Sequence, residues 1–107
     1  MTELSAKTCV PCSGDTPPLE GKELADLSRQ LPEWEVVEGH HLRREFRFKN
    51  FREALDFVNR VGEVAEEQGH HPNISFTWGR VEVEIFTHAI NGLSENDFIL
   101  GAKIDQL

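Results

Sequence analysis

Three histidines in the second half of the chain have the type and spacing to move protons. His70 and His71 are adjacent and run into Pro72, and His88 lies eighteen positions beyond His70. Imidazole is the side chain whose ordinary pKa falls nearest neutrality, so two rings beside one substrate could deliver one proton and remove another. Glu66 stands one helical turn before His70 and Asp97 closes the stretch; either carboxylate could orient a ring. Three imidazoles could also hold zinc with an open fourth position. Adjacent histidines on extended chain point to opposite sides, however, which argues against His70 and His71 sharing one ion. Any one of these histidines alone reads as a surface residue. Their convergence is what would make a site.

The convergence depends on a hairpin. Ile74, Phe76 and Trp78 alternate with Asn73, Ser75 and Thr77, and Val81, Val83 and Ile85 alternate with Glu82 and Glu84. Gly79-Arg80 between these runs predicts a two-residue type II′ turn. In that register Trp78 faces Val81, Phe76 faces Val83 and Ile74 faces Ile85, so the apolar residues share one face. Carried outward, the register sets His71 roughly opposite His88. Trp78 and Phe76 are then core residues. Trp34, on a short strand near a loop, is the better aromatic candidate for lining a site. Pro72 cannot donate to the ladder and bends the chain where the histidines enter it.

The elements that would carry these residues are legible from periodicity. Leu24, Leu27 and Leu31 keep helical spacing until Pro32 stops them, and short strands follow at Trp34–Val37 and Leu42–Phe48. A helix over 50–68 starts with Asn50 as cap and Glu53 completing a capping box, and Gly69 is placed to end it. Its expected buried stripe is Phe51, Ala54, Leu55, Val58, Val61 and Ala65. Ser94 and Asp97 form a second capping box for the last helix, with Leu93 and Phe98 as its hydrophobic staple. Arg43, Arg44, Arg47, Lys49 and Arg52 read as a solvated strand face paired with Glu82 and Glu84. His40 and His41 sit beside a turn and read as exposed. The expected fold is α+β: a four-stranded antiparallel sheet with three helices packed on one face, in the order αββαββα.

Residues 1–18 have turn chemistry and read as an extended arm, leaving 19–107 as the folded domain. Cys9 and Cys12 in that arm are too close together to staple a fold. Zinc would need two further ligands, and a redox pair would want a βαβ setting that is missing. At 107 residues the chain has room for one core, and its net charge of −8 opposes nucleic-acid binding. No apolar run is long enough to span a membrane and no signal-peptide core precedes the arm, so a cytoplasmic location is expected.

Glu66-x-x-x-His70-His71-Pro72, with Trp78, His88 and Asp97 at their spacings, resembles the signature of the pterin-4a-carbinolamine dehydratases. A looser likeness runs from about Leu19 to the end of the chain. The resemblance implies the αββαββα fold and a 4a-hydroxytetrahydrobiopterin dehydratase, a hydro-lyase acting in tetrahydropterin recycling. No metal or cofactor is implied. By position, His70 and His88 would be the acid–base pair and His71 would bind or polarise the pterin. Glu66, Asp97, Trp34 and Pro72 would orient the imidazoles or hold the ring. Ala89 and Asn96 depart from the acidic and basic residues often found there. The resemblance also implies a functional link to an aromatic amino acid hydroxylase and assembly as a homodimer or homotetramer. Two other readings differ in class: a protein-binding module that serves as dimerisation partner of a transcription factor, and a small zinc protein.

Overall fold

The computed structural model describes residues 4–9 and 17–107; Cys12 lies outside them. A turn of 3-10 helix at Leu4–Ala6 precedes α1 (Gly21–Gln30), β1 (Glu35–Val37), β2 (His41–Arg47) and α2 (Phe51–Gln68). Then come β3 (Asn73–Thr77), β4 (Arg80–Ile85), a second 3-10 turn (His88–Ile90) and α3 (Glu95–Ile104). The strands form one antiparallel sheet in the order β1-β2-β4-β3, and α2 and α3 pack on it while α1 lies against α3. The α+β architecture is the expected one. Among the described residues no helix is long and apolar enough to cross a membrane.

The β3–β4 turn differs from expectation. Thr77 pairs with Arg80, Phe76 with Val81 and Ile74 with Val83, so the two turn residues are Trp78 and Gly79. Gly79 has φ +71° and Trp78 is not in the positive-φ region, which puts glycine second in the turn as type II requires. The register is therefore displaced by two residues. Because side chains alternate with period two, an even displacement leaves the apolar face intact. What moves is the tip: Trp78, expected in the core, is 66% exposed because it belongs to the turn. Glycine is required here twice over. A Cβ on Gly79 would also lie 2.9 Å from the Phe48 carbonyl oxygen, while the Phe48 N–H donates to the Gly79 carbonyl at 2.8 Å. Gly79→Ala is expected to cost about 2 kcal/mol, combining left-handed strain with the clash. Urea unfolding would show it as a lower midpoint at unchanged slope; an unchanged midpoint would contradict this account of the turn.

Leu42, Val81, Val83 and Ile85 form the floor of the core, fully buried beneath the helices. Along α2 the buried residues are Ala54, Phe57, Val61 and Ala65. Phe57 enters the core against Phe46 and Phe48, with ring centroids 4.5 and 5.0 Å away. Phe51 and Leu55, expected in this stripe, are instead 47% and 37% exposed. They fall on a second helical line, 51-55-58-62, at the margin of the packed face: Phe51 meets Phe76 of β3 at 5.5 Å and Val58 is half-buried against the core. The arm is not simply extended either. Leu4 is 5% exposed within the core, and Lys103 Nζ donates to the Ser5 carbonyl at 2.9 Å. With the arm on one side and the sheet on another, α3 is buried almost all round.

On the open sheet face Arg43 Nε meets Glu82 at 2.6 Å and Arg80 meets Glu45 at 3.2 Å. The Arg80 hydrogen bond holds the Glu45 carboxyl below its usual range, and Glu82 raises the Arg43 guanidinium further. Arg44 does not share this face. It alternates inward, lies 4.5 Å over the Phe46 ring and pairs with Asp105 at 2.6 Å.

Candidate active site

The site is built around a carboxylate that the last helix buries completely. Asp97 has no exposed area, and a buried carboxylate is costly unless donors surround it. Three do. Its Oδ2 accepts the Ser94 N–H at 2.8 Å and the Thr87 hydroxyl at 2.8 Å, and its Oδ1 faces His70 Nε2 at 2.5 Å. The Ser94 contact is the capping box expected from sequence, so Asp97 caps α3 and binds an imidazole at once. Thr87 Oγ1 also lies 2.8 Å from Ser94 Oγ. No buried side-chain nitrogen or oxygen among the described residues lacks a partner.

His70 is placed by the end of α2. Gly69 takes the left-handed conformation (φ 63°), its N–H donates to the Glu66 carbonyl at 3.3 Å, and the His70 N–H donates to the Ala65 carbonyl at 3.2 Å. This pair of bonds is a Schellman cap, so the backbone of His70 is part of the helix terminus. The side chain keeps 13% exposure and presents Nε2 to Asp97. A carboxylate accepts only, so Nε2 carries the proton and Nδ1 is left as the basic nitrogen of the neutral ring.

The other residues are placed differently. His71 Nε2 lies 3.1 Å from Glu66 Oε2, but their side chains are 60% and 80% exposed, so the pair is a solvated one of little energetic weight. Pro72 has a trans peptide bond and leads into β3. His88 is exposed on the second 3-10 turn and stacks on Phe86 at 4.2 Å. It does not stand opposite His71 in a ladder, since β4 ends at Ile85; carrying the observed register outward sets Phe86 against His71 and Thr87 against His70. Thr87, bonded to Asp97, is what ties the His88 segment to His70. Trp34 is not brought to these residues. It is 4% exposed, packs edge-on to Phe46 at 6.1 Å and donates to Asp105 at the far end of α3.

Sequence reasoning missed Thr87 and the pair His40 and His41. Thr87 would have appeared opposite His70 had the turn been placed on Trp78-Gly79. His40 reaches this end of the sheet through the β1–β2 turn and packs on Phe86 at 4.7 Å. Among the described residues no three His, Cys, Asp or Glu side chains are arranged to hold a metal ion. A cleft of about 650 Å³ between β2, α2 and the end of α3 is lined by Arg44, Phe46, Phe57, Arg60 and Asp105, and by none of the histidines. That cleft lies toward the far end of α3, whereas the buried carboxylate and the imidazole it holds stand at the start of α3.

Comparisons with known proteins identify the family of the chain. The family model for pterin 4 alpha carbinolamine dehydratase matches residues 17–107. A protein of Rubrobacter xylanophilus is 67% identical over 107 residues, covering 100% of both chains. One from Alkaliphilus metalliredigens is 50% identical over 107 residues, covering 99% of this chain and 96% of its own. Both carry the name "Putative pterin-4-alpha-carbinolamine dehydratase". Among solved structures, a transcriptional coactivator/pterin dehydratase from Brucella melitensis superposes with a TM-score of 0.78 at 32% identity, over 83% of this chain and 96% of that one. A pterin dehydratase-like RuBisCO assembly factor of the α-carboxysome shares the fold with a TM-score of 0.59 at 22% identity, over 69% of this chain and 87% of that one.

Proposed function

The chain belongs to the pterin-4a-carbinolamine dehydratase family, and from that premise we propose that it removes water from a 4a-hydroxytetrahydropterin to give the quinonoid dihydropterin. The observation that carries this reading is the His70–Asp97 pair, an imidazole held in one tautomer by a fully buried carboxylate. In the elimination the C4a–O bond breaks and the N5 electron pair forms a C4a=N5 bond. N5 gives up its proton and the departing oxygen gains one. His70 Nδ1 takes the N5 proton, and Asp97 stabilises the imidazolium that results. His88 donates to the leaving hydroxyl, and His71 contacts the pterin from the exposed side. Each positioned group is worth about 10²–10⁴-fold. The substrate is one that a pterin-dependent aromatic hydroxylase would supply. Stopped-flow absorbance with 4a-hydroxytetrahydropterin in metal-free buffer tests the reading. A first-order decay faster than buffer and proportional to protein supports it, and no acceleration at any protein concentration sinks it.

The same reading has the chain work as a homodimer or homotetramer, and α2 supplies the support. Phe51 and Leu55 stand exposed, and Val58 and Gly62 continue their line at helical spacing with open space over Gly62. Large apolar side chains left exposed on an otherwise packed helix fit a second copy. Leu55→Asp is expected to reduce the mass seen by sedimentation equilibrium to that of one chain. A wild-type protein already at one chain mass would overturn self-association and leave the stripe to a different partner.

A further inference from the structure

We propose that His40 is a positioning residue for His88, acting through the ring of Phe86. The proposal rests on the reading of His88 as proton donor. Phe86 is in ring contact with two imidazoles, 4.7 Å from His40 and 4.2 Å from His88, at interplanar angles of 40° and 43°. These separations are those of interacting rings. The segment that carries His88 is closed at its base, where Thr87 and Gly92 bridge and the Thr87 N–H donates to the Gly92 carbonyl at 2.8 Å. Its tip has less to hold it. Among the described residues, the one side-chain hydrogen bond reaching 88–91 from another element is that of His40 Nε2 to Asn91 Oδ1, at 2.9 Å.

His40 is itself held in place. Its Nε2–H donates to Asn91, so its Nδ1 is the acceptor for His41 Nδ1–H at 3.1 Å. His41 Nε2 in turn lies 3.7 Å from the Glu84 carboxylate on β4. The β1–β2 turn that delivers His40 is tight, with Glu38 and Gly39 both at positive φ and the His40 N–H bonded to the Val37 carbonyl at 2.9 Å. His40, held by its bonds to Asn91 and His41, therefore packs on Phe86, and Phe86 in turn contacts His88. A proton donor on an exposed turn must keep its orientation if its proton is to meet the leaving oxygen, and here the neighbouring hairpin supplies that constraint.

The test compares wild type, His40→Ala and His40→Phe, each shown by circular dichroism to be folded. His40→Ala is expected to lower kcat about tenfold, the scale of a small misplacement of a reacting group. KM should stay within about twofold, because ground-state binding is untouched. His40→Phe keeps an aromatic ring against Phe86 but loses the Asn91 bond, so kcat recovers in part, to within about threefold of wild type. Unchanged kcat in His40→Ala, or no recovery in His40→Phe, overturns the proposal. A readout independent of turnover is the proton NMR of the His88 ring, which the Phe86 ring current displaces. That displacement should fall in His40→Ala and persist in His40→Phe. If the wild type does not accelerate dehydration, the functional reading fails, and the NMR comparison alone decides the positioning: an unmoved His88 signal in His40→Ala overturns it.

Discussion

Asp97→Ala is expected to lower the dehydration rate by about 10²–10⁴-fold and to destabilise the fold by about 3 kcal/mol. Both effects come from one carboxylate. Its loss strands the Ser94 N–H and the Thr87 hydroxyl in a buried place, removes the cap of α3 and leaves His70 Nε2 without a partner. Asp97→Asn separates the two effects. The amide keeps the volume, and its oxygen can still accept from Ser94 and Thr87. Its nitrogen, however, then faces His70 Nε2 donor to donor. His70 must shift its proton to Nδ1, and the nitrogen assigned as base is lost. Most of the stability should therefore survive, at a cost of about 1 kcal/mol, while the rate falls nearly as far as in Asp97→Ala. Urea unfolding and stopped-flow turnover on the two variants check this. An active Asp97→Asn protein would remove the tautomer argument and leave Asp97 a helix cap.

His70→Ala and His88→Ala are expected to look alike in turnover and different in stability. Each should lose about 10²–10⁴-fold in rate as half of an acid–base pair. Combining them should cost little more than either alone, because groups that act in one step are strongly non-additive. On unfolding they part. His70→Ala leaves Asp97 Oδ1 buried and unpaired, at a cost of about 1–3 kcal/mol. His88 is exposed and its removal should stay within about 0.5 kcal/mol of wild type. If His88→Ala turns over at the wild-type rate, His88 is not the donor and the leaving oxygen takes its proton from elsewhere.

The residues themselves determined the elements and one corner of the site. Pro32, Gly39, Asn50, Gly69 and the Ser94–Asp97 box are local devices, each acting over a few residues of chain, and each ends or starts an element where sequence says it should. Alternation fixed the buried face of β3 and β4 even under a misplaced turn, because a displacement of two residues cannot change which face a side chain takes. What local pattern could not decide was partnership. Whether Gly79 is first or second in its turn depends on its approach to Phe48, a contact between segments distant in sequence. Which of two apolar lines on α2 is fully buried depends on how Phe57 stacks with Phe46 and Phe48, and Phe51 and Leu55 on the other line stay partly exposed. Trp34 looked like a site residue on a short strand and is a core residue because α3 lies against it. His40 and His41 looked like turn decoration and pack beside Phe86 and Glu84 because β2 pairs with β4. The histidines and the carboxylate that holds one of them were legible as types. Which ring Asp97 would bind, and what would steady the others, was decided by long-range packing, since those energies arise only where distant segments meet.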